Sequence, residues 1–237
     1  MQFIEFDTID STNTYLKDNW EQLEDLTFVS TLEQTAGRGR NQRKWLSPKG
    51  ENMIFSVLIK DRDLLNRYRY LSMLSALTVI DALEHFVVKD LMIKWPNDVY
   101  VRDRKIYGIL LEGVSREQLE CVIIGIGVNV NQKLFTDNYL NEPTSVIREI
   151  GQVTDLNEFR TAVYWKMRGN LQLLKEGHDF HQEIMKHDYL KGRKVYAEIN
   201  GEKAEVEVTG INEDCSLGII WQNRKMNIDS GEITFHL

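Results

Sequence analysis

Four apolar segments follow one another between residues 91 and 130 with almost nothing between them. They read LMIKW (91–95), DVYV (98–101), KIYGILLEG (105–113) and LECVIIGIGVNV (119–130). Each has the length and composition of a strand. The connections are too short for the helical crossover that parallel neighbours need, so adjacent segments are expected to run antiparallel. This succession predicts an α+β fold with a mixed, largely antiparallel sheet, and it argues against a doubly wound parallel sheet.

Other strands and helices surround this central run. Strands are predicted where short apolar stretches occur, at 3–6, 27–32 and 53–59. Helices are predicted from apolar residues at helical spacing, at 13–24, 64–87, 157–175 and 179–190. Ser11 or Thr12 can cap the first helix, because a hydroxyl oxygen accepts hydrogen bonds from the free amides of a first turn.

The texture of the sequence changes near Lys191 and Gly192. Beyond them, four or five short strands alternate with NG, NED and DSG turns, which is typical of a small β-barrel. We therefore predict a main domain at 1–190 and a small C-terminal β-barrel domain at 191–237. Residues 193–237 hold five Lys and Arg against eight Asp and Glu. This acidic balance argues against nucleic-acid binding by the C-terminal domain.

The segment TAGRGRNQRKW (35–45) concentrates positive charge in an acidic chain. Residues 34–50 contain no Asp or Glu but five basic residues, whereas the whole chain has a formal net charge of -7. Like charges this close repel each other unless an anion lies among them. Alternating Arg and Gly suits a phosphate or a carboxylate, since guanidinium groups bind these anions in a bidentate manner and glycine lets the backbone approach. A solvated basic loop, or a loop that contacts RNA, remains open from charge alone.

Three other segments place polar side chains at strand ends. Pro96 interrupts a strand in KWPND and leaves Asn97 and Asp98 on a turn, although an ordinary Asn-Asp turn would look the same. Lys105 begins the next strand, with Gly108 leaving room beside it. Asn129 ends a later strand, and its amide could pair with the edge of a base or ring. Together these side chains fit a site for a nucleotide and a small carboxylate.

Several common catalytic motifs do not occur in the sequence. It has no GxxxxGK[ST] phosphate loop, no dinucleotide fingerprint that opens a helix after a first strand, and no GxSxG nucleophile elbow. His178 and His181 stand at helical spacing, but a solvated helix face explains them better than a metal site.

The order of the motifs resembles that of the biotin protein ligase family. The motifs are DSTN (10–13), QTAGRGRNQRKWLSPKGEN (34–52), KWPND (94–98), KIYGIL (105–110) and GIGVNVN (125–131), followed by the C-terminal strands. The resemblance covers essentially the whole chain. It implies a catalytic domain like that of class II synthetases at 1–190. It also implies an ATP-dependent ligase that forms biotinyl-5′-AMP and transfers biotin to a lysine of a biotin carboxyl carrier protein, the acetyl-CoA carboxylase subunit.

The resemblance also implies roles for individual residues. Biotin would be bound by Ser11, Thr12, Asn13, Gln34, Gly37, Arg38, Gly39, Arg40, Lys105 and Gly108. ATP, with Mg²⁺, would be bound by Arg40, Arg43, Trp45, Asn97 and Asn129. Catalysis would depend on Lys105, Arg38, Arg43 and Asp98, of which Asp98 would meet the incoming lysine. No metal site built from protein side chains is expected.

Further expectations concern context. Since DSTN begins at residue 10, we expect a short form without an N-terminal DNA-binding domain, and no nucleic-acid partner. No apolar run reaches the ~20 residues of a membrane helix, so we expect no membrane association and a cytoplasmic location. A homodimer is common in the family. The alternatives are a lipoate or octanoate ligase or transferase of the same fold, and a non-enzymatic module that binds RNA.

Overall fold

The computed structural model describes residues 2–40, 43–135, 142–199, 202–229 and 235–236. Twelve strands in these ranges form two sheets. The larger sheet contains β1 (Phe3–Ile9), β2 (Thr27–Gln34), β3 (Met53–Ile59), β4 (Leu91–Lys94), β5 (Asp98–Val101), β6 (Arg104–Ser115) and β7 (Leu119–Val128). The smaller one contains β8 (Lys194–Ile199), β9 (Glu202–Ile211), β10 (Leu217–Trp221), β11 (Arg224–Ile228) and β12 (Phe235–His236).

The seven-stranded sheet has the order β1-β2-β3-β7-β6-β5-β4. Its only parallel pair among the described strands is β1 with β2, and all the others are antiparallel. The predicted α+β class and the largely antiparallel sheet are therefore confirmed. The pairing of β5 with β6 starts at Asp98 and Gly108, whereas β6 continues along β7 as far as Ser115.

Helices cover both faces of this sheet. They are α1 (Thr12–Asn19), α2 (Arg62–Leu65), α3 (Tyr68–His85), α4 (Val146–Ile150), α5 (Leu156–Lys175) and α6 (His181–Lys186). Helix α1 packs on one face through a small cluster that includes Leu16, Leu58 and Ile123. Helices α3 and α5 cover the other face and bury the main core. The first turn of α1 is capped as predicted, because Ser11 Oγ accepts from the amide of Thr14.

Three predicted helices have different bounds in the structure. The helix predicted at 64–87 is divided into α2 and α3, because Asp61 caps an earlier start and the chain turns at Asn66 and Arg67. The helix predicted at 179–190 is confined to His181–Lys186. After it, the backbone of His187 and Tyr189 bonds to Ile93 of β4 instead. The helix predicted at 13–24 ends at Asn19.

The C-terminal strands form an antiparallel sheet with the order β11-β10-β9-β8-β12. Its apolar side belongs to the same buried cluster as the main core, which extends through Tyr189 and Leu190 to Val195 and Ile211. The division at residue 191 stays a prediction. Closure of this sheet into a barrel also stays a prediction, because residues 230–234 and 237 lie outside the described ranges. None of the described helices is long and apolar enough to cross a membrane.

Candidate active site

Most of the residues singled out in the sequence meet around one small cavity. It lies where the start of α1, the end of β2 and the basic loop come over the middle of β6 and β7. Its volume is about 60 Å³. The predicted site residues that line it are Ser11, Thr12, Asn13, Gln34, Arg38, Gly39, Arg40, Trp45, Asn97, Lys105 and Gly108.

One side of the cavity is a hydrogen-bond network of uncharged side chains, behind which Asn13 Nδ2 donates to Glu112 Oε2 at 2.8 Å. The amide and the hydroxyl of Thr12 both donate to Gln34 Oε1, at 2.8 and 3.0 Å. The hydroxyl groups of Thr12 and Ser56 are 2.7 Å apart, and Ser56 Oγ donates to Asn13 Oδ1 at 2.6 Å. Thr12, Asn13 and Ser56 are buried. Such a wall of fixed hydroxyl and amide groups suits an uncharged polar ligand group better than an ion.

Carboxylates from other parts of the chain partly balance the basic loop. Arg38 donates to Glu112 Oε2 at 3.3 Å and to Thr14 Oγ1 at 3.0 Å. Lys49 pairs with Asp7 at 2.5 Å on the surface. Part of the negative charge expected among these basic residues therefore comes from the protein itself, from Asp7 of β1 and Glu112 of β6.

The other side of the cavity carries a charged cluster. Here Arg40 of the basic loop and Lys105 of β6 meet the turn between β4 and β5. Arg40 donates to Asn97 Oδ1 at 2.9 Å, and Lys105 Nζ is 2.7 Å from Asp98 Oδ1. Burial lowers the pKa of Arg40, opposed by Asp98 and assisted by Arg43. A guanidinium group partly removed from water interacts more strongly with an incoming anion.

Lys94 is a further charge near this cluster that we did not single out from the sequence. It is buried, and its ammonium group donates to the hydroxyl of Tyr100 at 3.3 Å. Burial lowers its pKa, while Asp98 opposes the change and Lys105 and Arg43 add to it. Its position as the first residue of KWPND was the available signal.

Trp45 lies inside the site, over two glycines. A Cβ atom at Gly127 would come 2.5 Å from the indole ring, and one at Gly108 would come 3.2 Å from it. Lys105 Nζ is 5.8 Å from the centre of the same ring. The indole N–H is buried, and the described residues provide no hydrogen-bond acceptor for it.

Gly125 and Gly127 are site residues that the sequence analysis did not single out. A Cβ atom at Gly125 would lie 2.3 Å from Asn13 Oδ1. The two glycines stand two positions apart on β7, so they lie on the same face of the strand. In a strand otherwise rich in isoleucine and valine, two glycines at this spacing predict a patch without side chains on one face, where another group can approach the backbone.

Four of the predicted site residues do not line the cavity. Gly37 packs behind it, where a Cβ atom would come 2.6 Å from the carbonyl oxygen of Trp45. Asp98 reaches the site through Lys105, and Arg43 is exposed on the basic loop. Asn129 is buried elsewhere and donates to the Thr144 carbonyl at 3.0 Å.

The histidines of the sixth helix region do not form a metal site. His181 Nε2 is 3.0 Å from the Ile211 carbonyl oxygen, which ties α6 to β9. His178 pairs with Glu183 at 3.5 Å on the surface. Among the residues that the structure describes, no group of three His, Cys, Asp or Glu side chains is arranged to hold a metal ion.

Comparison with protein families adds a decisive observation. Residues 5–129, which carry all of these site residues, match the biotin/lipoate A/B protein ligase family. The chain belongs to this family. The match includes most of β1, all of β2 to β7 and the basic loop, so the cavity of this biotin/lipoate ligase family member lies within the region that defines the family.

Solved structures include a close counterpart of this family member. The biotin protein ligase from Aquifex aeolicus in complex with biotin and ATP superposes with a TM-score of 0.87. The alignment has 29% identity and covers 99% of this chain and 98% of that chain.

Curated relatives agree with the family. The chain is 31% identical over 170 residues to the bifunctional ligase/repressor BirA of Salmonella typhimurium, which is 71% of this chain and 53% of that protein. It is 35% identical over 156 residues to the biotin–[acetyl-CoA-carboxylase] ligase of Paracoccus denitrificans, which is 63% of this chain and 65% of that protein. The matched region thus spans about half the length of the first relative.

Proposed function

We propose that this protein is an ATP-dependent biotin ligase. It activates biotin as biotinyl-5′-AMP and transfers the biotinyl group to a lysine of a biotin carboxyl carrier protein. The observation that carries the proposal is the pairing of a neutral polar wall with a cationic wall on one cavity. The counterpart from Aquifex aeolicus, solved in complex with biotin and ATP, supports the same ligands.

The neutral wall fits the ureido ring of biotin. This ring is uncharged and has both donors and acceptors, so it needs groups such as Thr12, Asn13 and Gln34. These side chains already hold each other in place, which reduces the entropy that binding would cost. Ser11 is fixed in the same way as the cap of α1.

The cationic wall fits the reaction. The biotin carboxylate must approach the α-phosphate of ATP, and these two anions repel each other. Arg38, Arg40 and Lys105 line the cavity at this point and can stabilise the charge that develops on pyrophosphate. Arg43 is exposed on the basic loop and would face the triphosphate. Holding the two substrates in line can lower the barrier by about 7–11 kcal/mol.

Trp45 must move for ligands to enter. The cavity of about 60 Å³ is far below the ~300–1,000 Å³ of sites for small molecules, and the indole ring fills the space above Gly108 and Gly127. We propose that the ring leaves this position and then covers the adenine or the biotin tail. Its buried N–H would gain an acceptor by this movement. Asn129 would likewise exchange the Thr144 carbonyl for adenine.

Asp98 is proposed to receive the proton of the acceptor lysine or to orient its amine. It is paired with Lys105 at 2.7 Å before substrates bind. When Lys105 turns toward the biotin carboxylate, the Asp98 carboxylate becomes available as a base. Mg²⁺ would be held mainly by the triphosphate, since this ion usually combines phosphate oxygens with one or two carboxylates.

A homodimer is proposed through the edge of β6 beyond Gly108, which no described strand pairs on the side away from β7. The amide of Ile109 donates to the Asn97 carbonyl at 2.8 Å, which places its backbone groups on the side away from β7. Backbone groups alternate between the two sides of a strand, so those of Leu111 and Gly113 point to the same side as those of Ile109. Both residues lie beyond Gly108, where the pairing of β6 with β5 ends. Such an edge can receive a strand of a second molecule. A cytoplasmic location stays a prediction.

The test is incubation with radiolabelled ATP and biotin, followed by separation of biotinyl-AMP. We expect labelled adenylate and pyrophosphate with biotin, and little with lipoate or octanoate. Labelled adenylate with lipoate or octanoate instead would assign the protein to the other branch of its family. Salt-sensitive RNA binding without any ATP turnover would contradict the ligase proposal.

A further inference from the structure

The turn that joins β4 to β5 carries Asn97 and Asp98 to the candidate site, and the backbone of its second half is held by two bonds from the main domain. Ser72 Oγ of α3 donates to the Pro96 carbonyl at 2.8 Å. The amide of Ile109 in β6 donates to the Asn97 carbonyl at 2.8 Å. These contacts fix the second half of the turn.

A third anchor comes from the C-terminal sheet. The indole Nε1 of Trp95 donates to the backbone carbonyl of Cys215 at 2.9 Å, and both residues are buried. Cys215 lies in the tight turn between β9 and β10, with a φ of 63°. In that turn the Cys215 amide donates to the Asn212 carbonyl, and Asn212 Nδ2 donates to Ser216 Oγ, both at 2.9 Å. The acceptor carbonyl therefore sits on a well-braced turn.

A second tie connects the same parts of the molecule. Arg69 of α3 pairs with Asp229 and lies 3.7 Å from Asp214, both at the edge of the C-terminal sheet. Ser72 stands three residues further along α3, on the same side of the helix. The start of α3 thus holds both the Pro96 carbonyl and the C-terminal sheet.

The turn borders a second cavity of about 460 Å³, which adjoins the small site cavity and shares Arg40, Asn97 and Ile109 with it. Its walls include Trp95, Pro96, Asn97, Leu111 and Cys215. A chain segment that borders a cavity lacks part of the dispersion contacts that a close-packed segment has. The position of the turn therefore depends on its hydrogen bonds as well as on the packing of Trp95 in the main core.

We propose that Trp95 is a positioning residue for the transfer step. Through its bond to the Cys215 carbonyl, the C-terminal sheet holds Asn97 and Asp98 at the site. Trp95 does not line the site cavity, so it acts through its neighbours in sequence. This inference rests on the proposed ligase function and adds a role for the C-terminal sheet within it.

The transfer step shows why this position matters. The lysine amine attacks the carbonyl carbon of biotinyl-AMP. A C–N bond forms, the C–O bond of the mixed anhydride breaks, AMP leaves with the bonding electron pair, and the amine proton passes to the Asp98 carboxylate. That carboxylate must be within hydrogen-bond reach of the amine. A displacement of about 1 Å can cost about 100-fold in rate.

The experiment compares the two half-reactions in Trp95→Phe. This change keeps an aromatic ring but removes the N–H donor. We expect single-turnover transfer from preformed biotinyl-AMP to a purified biotin carboxyl carrier domain to slow by about 10- to 100-fold. The KM for biotin in pyrophosphate exchange should stay the same, because neither Asn97 nor Asp98 is among the residues proposed to bind biotin. The amplitude of the pyrophosphate burst gives the concentration of active sites. Rates are divided by this concentration, so a smaller amount of folded protein is not mistaken for slower transfer.

Two more variants separate the possible outcomes. Trp165→Phe removes an exposed indole on α5 and should leave both steps unchanged. Asn212→Ala loosens the Cys215 turn without touching Trp95, and it should slow transfer more than pyrophosphate exchange. Normal transfer in both Trp95→Phe and Asn212→Ala would overturn the positioning role, as would an equal loss in exchange and transfer. A wild-type protein that forms no biotinyl-AMP would instead refute the ligase function on which the inference rests.

Discussion

Lys105 carries the positive charge on which the proposed adenylation step depends most. Its ammonium group lies between Asp98, at 2.7 Å, and the ring of Trp45. Lys105→Ala removes the charge that would meet both the biotin carboxylate and the α-phosphate. We expect ATP–pyrophosphate exchange in the presence of biotin to fall about 100- to 1,000-fold, as for loss of one preorganised charge-stabilising group.

The matched control for Lys105 is Lys49→Ala. Lys49 belongs to the same basic stretch but pairs with Asp7 on the surface. Exposed pairs of this kind contribute little, so exchange should be unchanged. Normal exchange in Lys105→Ala would show that the ammonium group has no part in adenylation.

Arg40 provides a second prediction at this scale, about retention of the intermediate. Its guanidinium group bonds to Asn97 at 2.9 Å and closes one side of the cavity. Arg40→Gly should speed release of biotinyl-AMP by about 10- to 100-fold, the equivalent of one charge-assisted hydrogen bond. Release is measured by filtration of labelled intermediate, and stray biotinylation of a bystander protein should rise with it.

Arg102→Gly is the control for Arg40. Arg102 is exposed and has a φ of 55°, a conformation that glycine adopts without strain. It should retain the intermediate as the unchanged protein does. An unaltered rate of release in Arg40→Gly would remove Arg40 from the retention role.

The sequence predicted many of the residues at the site, but not all of the contacts between them. Thr12, Gln34, Arg38 and Lys105 were predicted and meet at the cavity, because the motifs that carry them define the family. Glu112 was not predicted as a partner of Arg38. Its contact joins residues 74 positions apart, and only the folded sheet brings them together.

At the scale of elements, β7 forms the floor under Trp45. Gly127→Ala would place a methyl group within 2.5 Å of the indole ring, so the ring or the strand must shift. We expect the free energy of unfolding to fall by about 1–3 kcal/mol, the usual cost of overpacking. Biotin affinity should also weaken, because the methyl group takes space on the floor of the site. Denaturant unfolding and isothermal titration calorimetry measure the two effects.

Gly169→Ala in α5 is the matched control for Gly127. A Cβ atom at Gly169 meets nothing within 4 Å, so alanine should stabilise the helix by about 1 kcal/mol and leave biotin binding unchanged. If Gly127→Ala were equally harmless, Trp45 would not rest on β7.

Elements also show why boundaries are harder to predict than types. Strand β3 was predicted at 53–59 and has these bounds, because every one of its residues is buried. The helix predicted at 64–87 was wrong at its start, because the apolar pattern runs through α2 and α3 without a break. The cap at Asp61 and the turn before Tyr68 decide the true bounds, and both depend on local hydrogen bonds rather than on periodicity.

For the whole molecule, the sequence predicted two sheets but not how they share a core. The antiparallel order from β4 to β7 follows from short connections, which are visible in the sequence. The joint between the sheets uses contacts such as Trp95 with Cys215, whose partners are 120 positions apart. Neither the segment around Trp95 nor the segment around Cys215 has a sequence pattern that predicts this contact. The coupling of the C-terminal sheet to the site is therefore visible only in the folded chain.

Asp188 links the two sheets, because its backbone forms a bridge with Ile93 of β4 and its carboxylate accepts from the amide of Ile211 in β9. It is buried and accepts from the amides of Leu190, Lys191 and Ile211, at 3.0, 3.2 and 3.0 Å. Burial raises the pKa of Asp188, although the three amides and the charge of Lys191 oppose this. The folded protein therefore holds this proton more firmly than the unfolded chain does.

Because the folded protein binds this proton more firmly than the unfolded chain, the free energy of unfolding depends on pH. A carboxyl group with a raised pKa contributes fully below its ordinary value of 3.8, and the contribution is lost as pH rises through the folded value. Asp188→Asn cannot titrate. The free energy of unfolding of the unchanged protein, minus that of Asp188→Asn, should therefore decrease from pH about 4 toward neutral. Urea unfolding at a series of pH values measures this difference.

Asp61→Asn supplies a control with the opposite sign. Burial alone would raise the pKa of Asp61, but the bond from Lys175 and the amides of α2 lower it below its ordinary value of 3.8. Its contribution is present above that value and is lost as pH falls below it. The corresponding difference for Asp61→Asn should therefore decrease toward acid. A flat difference for Asp188→Asn, beside the expected slope for Asp61→Asn, would mean that the link between the two sheets does not depend on protonation of Asp188.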